Sequence, residues 1–309
     1  MDRGRYEFSD VAGLMAGVEI VDAHFHCWAP GGPALQSPAA GFNLMGGRSF
    51  PGTYLMADYL RDLGSLPVTN AVHIETWAVD PLAELRWVDG LVASSPLPVA
   101  LVAGVALQDQ DCDRVIDVLA GNPRVCGVRQ ILSSHPDPAF SYIDRDDLMD
   151  EPSWRRGFAR IADYGLSFDL QIYPGQMPQA ASLAQDFPQI PIVICHAGMP
   201  IGRSQDALRS WREGMSVLSE SPNVSVKLSG IAMTDHDWTC ASVKAIVDGV
   251  LNLFGPSRSM FGSNFPVDKA FGSYDETVAT LAYATAGLSL EERTQIFSGT
   301  AKRFYHLSQ

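Results

Sequence analysis

Eight short apolar segments recur along the 309 residues: GVEIVDAHFH, VTNAVHIETW, PVALVAGVAL, VCGVRQIL, LSFDLQIY, IPIVICHA, NVSVKLSG and SMFGSN. A polar or amphipathic stretch follows each. Near-continuous runs rich in β-branched residues suit strands buried on both faces, which occur in parallel sheets. Between them, helices are predicted over Asp80–Ser95, Glu151–Tyr164, Ser204–Ser219 and Trp238–Phe254; the first two open on an acid followed by proline, a helix-start signal. Eight strand-helix alternations, with no GxGxxG turn after any strand, predict an α/β fold of the (β/α)8 TIM-barrel class, regular or distorted. No repeat, low-complexity tract or linker divides the chain, so residues 1–309 read as one domain. Two connections are long, Cys27–Gly52 after strand 1 and Ser133–Asp150 after strand 4. Long loops in a compact domain commonly form lids or binding loops.

A barrel gathers the carboxyl ends of its strands at one mouth. In chain order these ends carry His24 and His26, His73 and Glu75, Arg129 or Gln130, then Asp169, Gln171 and Tyr173, then His196, Lys227 and Ser229, and finally Asn264. Each alone has a structural explanation: a lone buried histidine is commonly a hydrogen-bonded core residue, and a lone lysine snorkels to water. Their joint placement points to an active site. In VDAHFHCWAP, strict strand alternation puts Asp22, His24 and His26 on one face and Val21, Ala23 and Phe25 on the other. Two imidazoles so placed can hold a metal ion or polarise a carbonyl.

Taken in order, VDAHFHCWAP, GVRQIL, VICHAGMP, VKLSG, MFGSNFPVDK and the closing GTAKRFYHL resemble the landmarks of the amidohydrolase-related family (amidohydrolase family 2, TIM-barrel metal-dependent hydrolases). The resemblance runs from Ile20 to Leu307 and is nearest to the sugar-lactone and dicarboxylate-lactone hydrolases, with aromatic-acid decarboxylases a more distant branch. It implies that His24, His26 and His196 bind a divalent metal, Zn2+ first, or hydrogen-bond a substrate carbonyl directly with no metal. It also implies that Arg129 holds a substrate carboxylate or hydroxyl.

One departure bears on the chemistry. Where most members end the eighth strand in GSDWP, with Asp as metal ligand and general base, this chain reads GSNFP and carries Asn264. An amide has no basic oxygen near neutral pH and is a poor ligand. Asp268, four residues on, and Glu75 at the second strand are the candidates for the carboxylate, and sequence alone places neither there. The carboxylated lysine found after the fourth strand of relatives is also missing, and Lys227 lies on the seventh strand instead. The expected activity is hydrolysis of a small cyclic ester: His24, His26 and His196 would act on the carbonyl or its metal, and Asn264 and Asp268 would complete the catalytic set. Glu75, Arg129, Gln171, Tyr173 and Lys227 would contact substrate. Two rivals stay open, a decarboxylase or other lyase that needs no attacking water, and a binding protein that lost its base.

A formal net charge of -13 argues against nucleic acid or an anionic membrane as partner, because phosphate recognition needs clustered Lys and Arg. A small-molecule substrate is expected, and the resemblance adds a homodimer. Five scattered cysteines without a CxxC pair read as separate reduced thiols. MDRGRYEFSD is charged where a signal peptide would be apolar, and the apolar runs are too short to span a bilayer, so a cytoplasmic location is expected.

Overall fold

The computed structural model describes residues 11–34, 44–49 and 51–307. Eight strands, β1 (Ile20–Phe25), β2 (Val68–Ile74), β3 (Val99–Gly104), β4 (Val125–Ile131), β5 (Ser167–Gln171), β6 (Ile192–Ile194), β7 (Val224–Leu228) and β8 (Ser259–Phe261), form one sheet in sequence order. Every pair is parallel. The principal helices alternate with them: α1 (Met56–Leu63), α2 (Pro81–Val92), α3 (Cys112–Ala120), α4 (Pro152–Ile161), α5 (Met177–Asp186), α6 (Gln205–Ser219), α7 (Cys240–Phe254) and α8 (Tyr274–Ala284). This is the (β/α)8 barrel expected. No helix among the described residues is long and apolar enough to cross a membrane.

The sheet closes where the chemistry is. His24 O accepts from Asn264 N at 2.7 Å, and His26 N donates to Phe265 O at 2.8 Å. The seam between β1 and the chain leaving β8 therefore sets the HxH residues beside Asn264.

Helix starts follow the local signals. Asp80 accepts from Leu82 N and Ala83 N ahead of α2, Ser204 accepts from Ala207 N ahead of α6, and Thr239 exchanges bonds with Ser242 ahead of α7. Each cap satisfies amide N–H groups that a first turn leaves unpaired.

Two apolar layers flank the sheet. The larger lies between strands and helices; the smaller fills the barrel with Val21, Ala23, Val72, Ile74, Val102, Val193 and Met260, joined by Ala301 and Tyr305 from the end of the chain. Val21 and Ala23 obey the alternation, but β1 then departs from it. Asp22 pairs with Ala71 and Phe25 with His73, so three steps on β1 oppose two on β2. Such a bulge re-aims the side chains that follow it. Asp22 therefore does not share a face with His24 and His26, contrary to the strict period of two. Its carboxylate accepts from Tyr59 Oη (2.8 Å) and Tyr274 Oη (3.0 Å) on α1 and α8, and from Ser263 N (2.8 Å) and His24 N (3.1 Å). The buried acid ties β1 to β8 and leaves His24 and His26 to the interior.

Candidate active site

A cavity of about 70 Å³ opens at the carboxyl ends of the strands and is lined by His26, Glu75, Arg129, Gln171, His196 and Asn264, with Trp28, Trp77 and Tyr142 among its walls. Tyr142 comes from the connection after β4, which is anchored by Tyr142 N to Ser133 O (2.8 Å) and Tyr173 Oη to Phe140 O (2.7 Å). The long loop after strand 4 thus contributes a wall. Much of the loop after strand 1, residues 35–43, lies outside the described residues.

Three site residues hold left-handed backbone: Trp77 (φ 56°), His196 (φ 54°) and Asn264 (φ 57°). Asn and His tolerate this region better than most residues, whereas a tryptophan there is an outlier, and such strain gathers at functional sites. The His196 ring fits because Gly230, itself at φ 61°, has no side chain: an added Cβ would lie 2.4 Å from His196 Nδ1. Gly230→Ala should cost about 1–2 kcal/mol from the left-handed backbone alone, and more if the ring must move. A melting curve and an activity assay check this, and a variant with unchanged Tm and activity would contradict it.

Burial first, then the charges of Lys227, Arg129 and neighbouring histidines, holds His24, His26 and His196 well below the usual imidazole range, so all three are neutral near pH 7. Their tautomers follow from their partners. His26 Nδ1 lies 2.8 Å from Ile74 O and must donate, so its Nε2 is the acceptor. His24 Nε2 lies 3.2 Å from that atom and donates to it. His24 Nδ1 in turn accepts from Lys227 Nζ at 3.3 Å. Lys227 gives its remaining protons to Ala23 O (2.7 Å) and to the Asp169 carboxylate, which also accepts from Tyr305 Oη (2.8 and 3.0 Å).

The cavity is therefore built differently from the expectation at four positions. His24 lies beneath His26 rather than on the lining. Lys227 is fully buried and bonded to protein at each of its three protons, so it does not reach the substrate space. Tyr173 directs its hydroxyl to the loop backbone instead of the cavity. Asp268 is also outside: it borders a separate cavity of about 50 Å³ behind β7 and β8. The short turn Asp268–Ala270 folds it back so that its carboxylate accepts from Asn264 Nδ2 at 3.0 Å. That bond uses the Asn264 amide NH2, so what Asn264 has left to offer the cavity it lines is Oδ1, an acceptor without basicity.

Burial pushes the Asp268 carboxyl up to about 7 against the opposing bond from Asn264. Because the folded value exceeds the unfolded one, the native state binds more protons between these values, and its stability falls as pH rises from about 4 to about 7. Asp268→Asn should accordingly raise Tm at pH 8 and raise it less at pH 5. Equal shifts at both pH values would contradict the linkage.

Glu75 is the carboxylate that does line the cavity. Its Oε2 accepts from Trp77 N at 2.8 Å and its Oε1 lies 3.6 Å from Arg129 Nη1. Burial raises its carboxyl while the Arg129 charge opposes the rise. Arg129 donates to Glu75 O (3.1 Å) and Gln171 Oε1 (2.5 Å), and its buried Nε has no partner among the described residues. Two further residues, Asp169 and Glu84, support the site from behind. Asp169 was visible as a strand-end acid, but nothing local showed that it faces Lys227. Glu84 sits inside the predicted helix α2 and accepts from Thr76 N (2.7 Å) and Oγ1 (2.5 Å), fixing the turn that carries Glu75. Burial and the nearby Glu75 charge push it up to about 8.

His24, His26 and His196 do not form a set with all ligand atoms at metal spacing. The group that does among the described residues is His24, Asp169 and Cys195, whose ligand atoms all lie within 4.8 Å of one another. Their spacing and donor types fit a divalent metal. Burial holds the Cys195 thiol up at about 11, and Lys227 already contacts His24 and Asp169, so an ion there would compete with an ammonium.

A model of the amidohydrolase family matches residues 21–307. The uncharacterized protein y4mH of Sinorhizobium fredii is 33% identical over 298 residues, covering 95% of this chain and all of that protein. L-fucono-1,5-lactonase of Burkholderia ambifaria is 29% identical over 240 residues, 73% of this chain and 77% of its own. Among solved structures, an amidohydrolase from Burkholderia multivorans with bound zinc superposes with a TM-score of 0.78 at 23% identity, covering 94% of this chain and all of that one.

Proposed function

Because the chain belongs to the amidohydrolase family, we propose that it hydrolyses a small cyclic ester, a sugar 1,5-lactone being the substrate class that the cavity suits. The observation that carries this reading is the joint exposure of Arg129, Glu75, Gln171, Asn264 and a neutral His196 in one cavity at the barrel mouth. The similarity to an L-fucono-1,5-lactonase supports the same substrate class.

His196 Nδ1 lies 3.0 Å from Ser229 Oγ. With the hydroxyl donating, His196 carries its proton on Nε2, and that N–H polarises the ester carbonyl as charge develops on its oxygen. Arg129 and Gln171 orient ring oxygens, and Asn264 Oδ1 accepts a hydrogen bond from the attacking water. Glu75 removes the other proton as the water oxygen bonds to the carbonyl carbon. When the ring C–O bond breaks, the same carboxyl returns the proton to the leaving oxygen, so the product is a hydroxy acid and the enzyme is restored. A carboxyl raised by burial suits both roles. A divalent ion would take up His24, Asp169 and Cys195 only in place of the Lys227 ammonium, and there it would supply Lewis-acid charge next to the cavity wall rather than on it.

The test is turnover of L-fucono-1,5-lactone and other 1,5-lactones with and without chelator, followed by proton release. Hydrolysis supports the reading. No lactone turnover, with carbon dioxide released from aromatic acids instead, would replace it with the lyase reading, and tight binding without turnover would identify a binding protein.

A further inference from the structure

We propose that Lys227 is the built-in cation of this barrel: its ammonium serves His24 and Asp169 where a divalent ion would otherwise be held, and it fixes the tautomer through which His24 positions His26. The inference stands apart from the lactonase reading, since it uses neither substrate nor activity. Three observations carry it.

First, the placement is specific. Lys227 and Asp169 are both without solvent exposure, and each of the three ammonium protons has a different acceptor, Ala23 O, Asp169 and His24 Nδ1. A buried lysine is stable only when paired and fully hydrogen-bonded, and here both conditions are met. Second, His24 and Asp169 belong, with Cys195, to the group at metal spacing. An ammonium bonded to two of the three donors neutralises the charge that would attract an ion. Third, the bond has a direction that reaches the cavity. An ammonium has no acceptor, so His24 Nδ1 must present its lone pair to Lys227, and its proton then sits on Nε2. That proton is donated to His26 Nε2, while His26 Nδ1 donates to Ile74 O. The chain from Asp169 through Lys227 and His24 to His26 leaves every proton assigned, and His26, on the lining, is held in one orientation. An ion on His24 Nε2 would reverse this order, forcing an Nδ1–H against the ammonium. Lys227 is thus a positioning residue that acts through His24.

The experiment titrates zinc chloride into metal-stripped wild type, Lys227→Met and the double variant Asp169→Asn/Lys227→Met by calorimetry, with 15N spectra of histidine-labelled protein. In Lys227→Met, one equivalent of zinc should bind at least tenfold more tightly than in wild type, and the double variant should lose that gain with the carboxylate. In wild type the His24 signals should show Nε2 protonated and Nδ1 as acceptor. Zinc affinity unchanged or weakened in Lys227→Met, or a gain that persists in the double variant, overturns the proposal. Should Lys227→Met fail to fold with Asp169 unpaired, the double variant, which removes both charges, decides by its spectrum. A loss of the single Nε2–H tautomer at His24 supports the assignment, and an unaltered tautomer overturns it.

Discussion

Glu75→Gln is expected to lower kcat for lactone hydrolysis by about 10²–10⁴-fold, the range of a general base, while changing KM little. The substitution keeps shape and an oxygen for Trp77 N, and it removes the one carboxylate on the cavity wall among the described residues. Asp268 cannot take over from its separate cavity, where it is bonded to Asn264. The wild-type pH profile should agree. The base works when ionised, and burial raises its carboxyl above the ordinary glutamate value, so kcat/KM should fall as pH drops through that raised value. The histidines do not produce this limb, because they stay neutral to well below their usual range. Removing a charge from the pair with Arg129 also carries a stability cost, so Tm is read in parallel. A folded Glu75→Gln variant with rates within a few fold of wild type would remove Glu75 from the mechanism.

Arg129→Lys should raise KM roughly 10- to 100-fold, the equivalent of losing a charge-assisted hydrogen bond worth about 1.5–3 kcal/mol. The guanidinium spans Glu75 O and Gln171 Oε1 with separate nitrogens and still has Nε in hand. An ammonium keeps the positive charge opposite Glu75 but cannot reproduce a planar fork. The kcat should move less than KM, since the arginine orients substrate and Glu75 keeps a cation nearby. An unchanged KM, with lowered Tm, would make Arg129 a structural partner of Glu75 alone.

The barrel was legible because its signal is repeated. Eight apolar runs and the caps at Asp80 and Ser204 are local features, and each recurs in the structure within a few residues of its expected place. Histidines and acids at strand ends were legible for the same reason: a parallel barrel brings every carboxyl end to one mouth whatever the loops do. Which of them face the cavity was not legible. The bulge in β1 moved Asp22 to the helix side, the turn after β8 carried Asp268 behind the strands, and Lys227 was drawn inward by an acid 58 residues away. Alternation and spacing are properties of neighbours along the chain, and they determined the elements and the order of the polar residues here. The partners of a buried charge are set by desolvation and by three-dimensional packing, so only the tertiary structure decided that Glu75 lines the cavity and that Lys227, with Asp169, lies beneath it.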